Sequence, residues 1–182
     1  MSDAYPSAPA FLPLPLACAQ MAAHQRARPP RILHQYWDRD PPRQIHELMA
    51  HCGRVCRSAG VEHRVWDAIS GAQLLEQGFP DIVRRAFDVA PHAAMKCDIL
   101  RMAILYRHGG VYLDADMALR AQTGAHLWLS FTDALLFKWN LQERHNTPNW
   151  CLGFRPGHDL AWNALLHMSE RMVAAVAADG DG

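Results

Sequence analysis

Apolar positions along this chain follow two periods in turn, one suited to strands and one to helices. Ile32-Leu33-His34-Gln35-Tyr36-Trp37 gathers branched and aromatic side chains in a short run, ended by Asp38 and the later Pro41-Pro42, and predicts a strand. Residues 43–58 shift to helical spacing and stop at Ala59-Gly60. Val61 to Trp66 predicts a second strand with Asp67 at its exit, followed by short helices around Ala72–Gln77 and Ile82–Ala86. Pro91 precedes a helix from about His92 to His108, where Ile99, Met102, Ala103 and Tyr106 form an apolar stripe. Gly109-Gly110 ends that helix. Val111–Asp114, Leu135–Trp139 and Trp150–Phe154 read as further strands, and about Asp159–Val176 as a last helix. Strands separated by helices, without internal repeats, predict an α/β layered fold. Ligands of such sheets sit beyond the carboxyl ends of the strands, where Trp37, Asp67, Asp114 and Asp116 fall.

Composition narrows the classes. The 182 residues suit one domain, read here as 31–178, preceded by a proline- and alanine-rich arm over 1–30. Eighteen acidic and eighteen basic side chains balance, and no basic run is present, which argues against a nucleic-acid partner. Five cysteines at irregular spacing make a poor disulfide framework and point to a reducing compartment. Cys52 and Cys56 interleave with Leu48, Met49 and Val55 at helical spacing, so they read as core rather than as zinc ligands. The apolar segment Phe11–Ala19 lacks a basic flank and is broken by Pro13 and Pro15. No stretch approaches the ~20 apolar residues of a membrane helix. The expectation is a cytoplasmic protein, at most peripheral to the inner face of the membrane.

Chemistry concentrates between residues 98 and 116. Asp114 and Asp116 are two apart, so in an extended segment their carboxylates point the same way, and such a pair repels unless a cation lies between. Ala115 between them leaves room for close approach. An isolated Asp-x-Asp more often caps turn amides, but here Asp98 and Arg101 share a helix face immediately upstream. An exposed pair of that kind would be worth only ~0–1 kcal/mol. Leu100 and Leu105 nearby suggest instead a partly buried pair, able to hold hydroxyls through the carboxylate and phosphate through the guanidinium. Gly109-Gly110 supplies the tight helix-to-strand reversal that sets this pair against the two acids. His34, His108, His145 and His158 offer acid or base chemistry, with no spacing that singles one out.

The run Ala94-Met95-Lys96-Cys97-Asp98-Ile99-Leu100-Arg101, then Leu105-Tyr106-Arg107-His108-Gly109-Gly110-Val111-Tyr112-Leu113-Asp114-Ala115-Asp116, resembles the sugar-binding region with a DXD motif. That region is found in bacterial capsular transferases, initiating mannosyltransferases and clostridial glucosylating toxins. Arg31–Trp37 is similar to the group's opening strand, Val65-Trp66-Asp67 to its second, and Asn149–Phe154 with Pro156-Gly157-His158 to a later segment. Two departures stand out. Cys97 occupies a usual serine position, and Asp38-Arg39-Asp40 replaces a glycine pair that often follows the first tryptophan.

The resemblance implies a GT-A-like nucleotide-sugar-binding layered sheet and a retaining, Mn²⁺- or Mg²⁺-dependent glycosyltransferase. The donor would be a UDP- or GDP-sugar, and the acceptor a glycan or lipid-linked glycan ahead of a protein. By position, Asp114 and Asp116 would serve the metal, and Asp98 and Arg101 the transferred sugar and its phosphate. Leu33, His34, Trp37, Asp67, Tyr112 and Asn149 would contact the donor, with Trp37 stacking on the base. A module that binds a nucleotide sugar without transferring it is the competing expectation. A nucleotidyl- or phosphotransferase would want a glycine-rich phosphate loop, and none is present.

Overall fold

The computed structural model describes residues 29–120, 133–137 and 148–180. Apart from Pro29 and Pro30, the expected arm lies outside the described residues, as do His145 and the last two positions of the strand expected at Leu135–Trp139. Among these described residues, five strands and five helices follow in chain order. They are β1 (Ile32–Tyr36), α1 (Arg43–Ser58), β2 (Glu62–Trp66), α2 (Ala68–Glu76), α3 (Asp81–Val89), α4 (Ala93–His108), β3 (Gly110–Leu113), β4 (Ala134–Leu136), β5 (Cys151–Phe154) and α5 (Asp159–Gly180). The sheet runs β2-β1-β3-β5-β4, with β1 parallel to both β2 and β3, and β5 antiparallel to β3 and β4. This mixed sheet flanked by helices is the expected α/β class and is consistent with a GT-A-like arrangement. The helices expected at 72–77 and 82–86 are each longer. Asp67 starts α2 with a reciprocal capping box to Ser70, and Pro80 precedes α3.

Strand alternation divides the core in two. Leu33, Val111, Leu113 and Cys151 point to one face and meet Cys52, Val55 and Cys56 of α1. Those three recur with Met49 at helical spacing, which is why α1 lies flat on the sheet. Burial keeps the Cys52 and Cys56 thiols protonated, Cys56 being pushed up to about 12. Tyr36, Tyr112, Leu152 and Phe154 point to the other face, against α4, with α2, α3 and α5 packed outside it. Because α4 lies between sheet and helices, Leu100, Ile104 and Leu105 are buried as completely as Ile99 and Ala103 of the expected stripe. Among the described residues no helix is long and apolar enough to cross a membrane.

The α4-to-β3 reversal depends on two glycines in the left-handed half of backbone space. Gly109 has φ +65° and Gly110 φ +92°. A Cβ at Gly110 would lie 2.6 Å from the Ile32 carbonyl oxygen on the neighbouring strand. The same seam holds His34, which is fully buried. Its Nε2 donates to the Gly109 carbonyl (2.9 Å), and its Nδ1 accepts from the Trp66 indole (3.1 Å). Both ring nitrogens are therefore committed in the neutral form, and burial lowers the pKa from 6.5 to about 3.

Two outcomes follow from the seam. Gly110→Ala should cost about 2 kcal/mol or more in urea unfolding, from strain and backbone contact together; a loss within about 0.5 kcal/mol would contradict the packing. The unfolded chain binds a proton at position 34 that the folded chain refuses between pH 6.5 and about 3. Stability from this group is thus complete above pH 6.5 and declines as pH drops through that window. Unfolding measured at pH 7 and pH 5 should show a steeper loss for the wild type than for His34→Gln. Parallel slopes would contradict a buried neutral imidazole.

Candidate active site

β1 has β2 on one side and β3 on the other, so the crossover connections leave in opposite directions and open a crevice at the carboxyl ends of β1 and β3. A cavity of about 460 Å³ occupies that crevice, within the ~300–1,000 Å³ common for small-molecule sites. Tyr36, Trp37, Asp38 and Arg39 wall it after β1, and Asp114, Ala115 and Asp116 after β3. Ala93, Ala94, Cys97 and Arg101 contribute from α4.

The two acids of the motif lie on a turn rather than in an extended segment. Pairing of β3 with β5 ends at Leu113, opposite Cys151, and the Met117 amide then donates to the Asp114 carbonyl (3.1 Å). The consequence is unequal burial: Asp114 is half-buried and Asp116 exposed. The Asp114 peptide is held from both sides. Its amide donates to the Trp150 carbonyl (2.8 Å), and its carbonyl accepts from Gln35 Nε2 (3.4 Å), whose Oε1 is paired with His63 Nε2 (2.9 Å).

Strand parity aims the Asp114 side chain at α4, where Arg101 waits. The Arg101 side chain is only 5% exposed. One terminal nitrogen lies 3.1 Å from Asp98 Oδ1, 3.2 Å from Asp114 Oδ1 and 3.1 Å from Cys97 Sγ. The other donates to the Asn149 carbonyl. Its guanidinium carbon sits 4.9 Å from the centre of the Tyr112 ring, close enough for cation–π attraction. The Tyr112 hydroxyl and Cys97 thiol share a hydrogen bond (2.9 Å), and Asn149 Nδ2 donates to Asp98 Oδ1 (2.9 Å). Burial pushes both Asp98 and Asp114 above the usual carboxylate range, Arg101 opposes the shift, and at Asp114 the neighbouring Asp116 adds to it. Two carboxylates thus meet one guanidinium, with the charge of a third, Asp116, acting on Asp114.

That imbalance suits a further cation. Among the described residues no group of three or more metal-ligating side chains converges, and Asp114 and Asp116 are the paired acids of one turn on the cavity wall. A hard divalent ion bound through one or two carboxylates completes its shell with phosphate oxygens and water, and these residues fit that role.

The structure gathers Asp98, Arg101, Asp114, Tyr112 and Asn149 into one network, and places Trp37 and Asp116 on the wall of the same cavity. Leu33 and His34 lie beneath it in the β1–β3 ladder, without lining it. Asp67 also stands outside the cavity wall. Its Oδ1 accepts from the Ser70 amide (2.7 Å) and hydroxyl (2.6 Å), and these bonds hold its carboxyl below the usual range. Sequence reasoning passed over Gln35, although a polar residue in the middle of an apolar strand was the available sign. It named Cys97 and Asp38-Arg39 only as departures from a pattern, yet all three line the cavity.

An α/β sheet whose switch-point cavity sets an Asp-Ala-Asp turn against a helix-borne Asp–Arg pair agrees with the glycosyltransferase resemblance of the sequence. The chain belongs to the family defined by a glycosyltransferase sugar-binding region containing the DXD motif, which matches residues 39–135, more than half of it. It is 30% identical over 132 residues to an uncharacterized glycosyltransferase of Acanthamoeba polyphaga mimivirus, covering 71% of this chain and 51% of that one. It is 27% identical over 100 residues to inositol phosphoceramide mannosyltransferase 3 of Schizosaccharomyces pombe, covering 54% of this chain and 27% of that protein. The chain therefore spans about half the length of the viral relative and about a quarter of the yeast one. No solved structure matches.

Arg101 neutralises acids that burial has already disfavoured, so Arg101→Met should destabilise the fold most where those acids are ionised. The expected loss is about 2–3 kcal/mol at pH 7, less than for a fully buried pair because both carboxylates keep some solvent, and it should shrink at pH 4. Denaturant melts at the two pH values check this. Equal losses at both would contradict the charge network.

Proposed function

We propose that this chain transfers a hexose from a nucleoside-diphosphate sugar, a UDP- or GDP-sugar, to a glycan or lipid-linked glycan acceptor, with retention of anomeric configuration. The observation that carries this is the convergence of Asp98 and Asp114 on the Arg101 guanidinium, with Arg101, Asp114 and Asp116 lining one cavity. The name of the yeast relative supports a lipid-borne acceptor, since it describes transfer of mannose to inositol phosphoceramide.

Asp114 and Asp116 would hold Mn²⁺ or Mg²⁺ together with the donor diphosphate. When bound, the ion neutralises the diphosphate and stabilises it as a leaving group. The first turn of α4 reaches the same cavity through Ala93 and Ala94, with no side chain capping its amides. The positive end of that 16-residue helix favours an anion there. Arg101 directs charge-assisted donors toward phosphate and sugar oxygens from a site where it cannot swing away, being pinned by Asn149, Asp98 and the Tyr112 ring. Asp98, tied by Asn149, accepts from hydroxyls of the transferred sugar and orients it for attack on the face the diphosphate leaves. Trp37 stacks on the base, an interaction that needs a flat apolar face and no fixed hydrogen-bond pattern. Positioning and charge stabilisation of this kind supply rate without a dedicated protein nucleophile.

Donor hydrolysis screened over UDP- and GDP-sugars with Mn²⁺ tests the assignment. Asp116→Asn should lower turnover about a hundredfold or more while leaving thermal stability unchanged, because the side chain is exposed. Full turnover in Asp116→Asn and Asp114→Asn would overturn it. Donor binding without hydrolysis under either metal would leave a binding module instead.

A further inference from the structure

Two acidic loops border the donor cavity, and the proposed function uses only Asp114-Ala115-Asp116. The other is Trp37-Asp38-Arg39 at the end of β1, and its acid is firmly placed. The Asp38 carbonyl accepts from the Ala68 amide at the start of α2 (3.1 Å), and its Oδ1 accepts from the hydroxyl of Tyr36, a buried core residue (2.7 Å). Its side chain is 16% exposed. Among the described residues the other oxygen, Oδ2, meets only the Nε of Arg39 at 3.4 Å, and that arginine is 80% exposed. Such a long, solvated contact holds little. An anchored carboxylate on a cavity wall therefore keeps accepting capacity to spare.

An ionised carboxylate accepts and never donates, so it repels phosphate and suits a ligand surface rich in N–H or O–H groups. If the diphosphate lies with Asp114 and Asp116, the part of the donor beside Trp37 is the nucleoside. Nucleosides offer two pairs of adjacent donors. Guanine presents N–H and NH₂ side by side, and ribose presents its two hydroxyls. The edge of uracil has one N–H between two carbonyls, which would set acceptors against the carboxylate.

Resting on the donor reading above, we propose that Asp38 determines which nucleoside the cavity accepts, by taking two adjacent hydrogen-bond donors from the guanine edge or from the ribose diol. The full chain with Mn²⁺ can be titrated calorimetrically with GDP, inosine diphosphate, 2′-deoxy-GDP and UDP, as wild type and as Asp38→Asn. The variant should bind GDP about ten- to a hundredfold more weakly. In the wild type, deleting one of the two donors should reproduce that loss: inosine diphosphate if the guanine edge is read, 2′-deoxy-GDP if the ribose is read. The same deletion should cost little further in the variant. The analogue comparison needs only wild-type chain, so a poorly folded variant does not spare the proposal. GDP binding that neither the variant nor either analogue alters overturns the role of Asp38 alone. Binding of none of the four nucleotides overturns the donor reading as well.

Discussion

A single buried guanidinium organises this structure. Arg101 is on the most enclosed helix of the domain, and an unpaired charge there would cost several kcal/mol. Four groups among the described residues chiefly answer that cost: Asp98 one turn earlier on the same helix, Asp114 at the end of β3, the Asn149 carbonyl before β5, and the Tyr112 ring beneath. Three separate chain segments are thereby registered to one point. Asp98 and Asp114 are consequently tied into the folding core, not appended to it.

The same arrangement accounts for the unequal environments of Asp114 and Asp116. The first is half-buried, paired with arginine and pushed toward protonation by its surroundings; the second is exposed on the turn. A cation shared by both would relieve the excess of negative charge that one arginine leaves unbalanced. The Gln35–His63 pair holds the peptide of Asp114 from below, so the turn is supported through the α1 face of the sheet as well as the α4 face.

Much of this was legible in residue patterns, because the relevant pieces are local. Gly109-Gly110 could only be a reversal, and the three-residue spacing of Asp98 and Arg101 put them on one helix face whatever the tertiary fold. The turn at Asp114–Met117 was not legible, since the end of β3 is set by where β5 stops pairing. Nor was the capping role of Asp67, which depends on α2 starting four residues earlier than its apolar spacing suggested. Asp38 illustrates a different limit. Compared with a familiar pattern it is a missing glycine, whereas in three dimensions it is a carboxylate anchored by Tyr36 on the cavity wall.

A divalent ion held jointly by the Asp-Ala-Asp turn and a nucleoside diphosphate is the core of the proposed function. Electron paramagnetic resonance of Mn²⁺ titrated into the chain, with and without GDP or UDP, measures this directly. Weak ion binding alone, much tighter binding once the diphosphate is present, and loss of both in Asp116→Asn are the expected results. Manganese that binds equally well without nucleotide, or that ignores the substitution at Asp116, would contradict it.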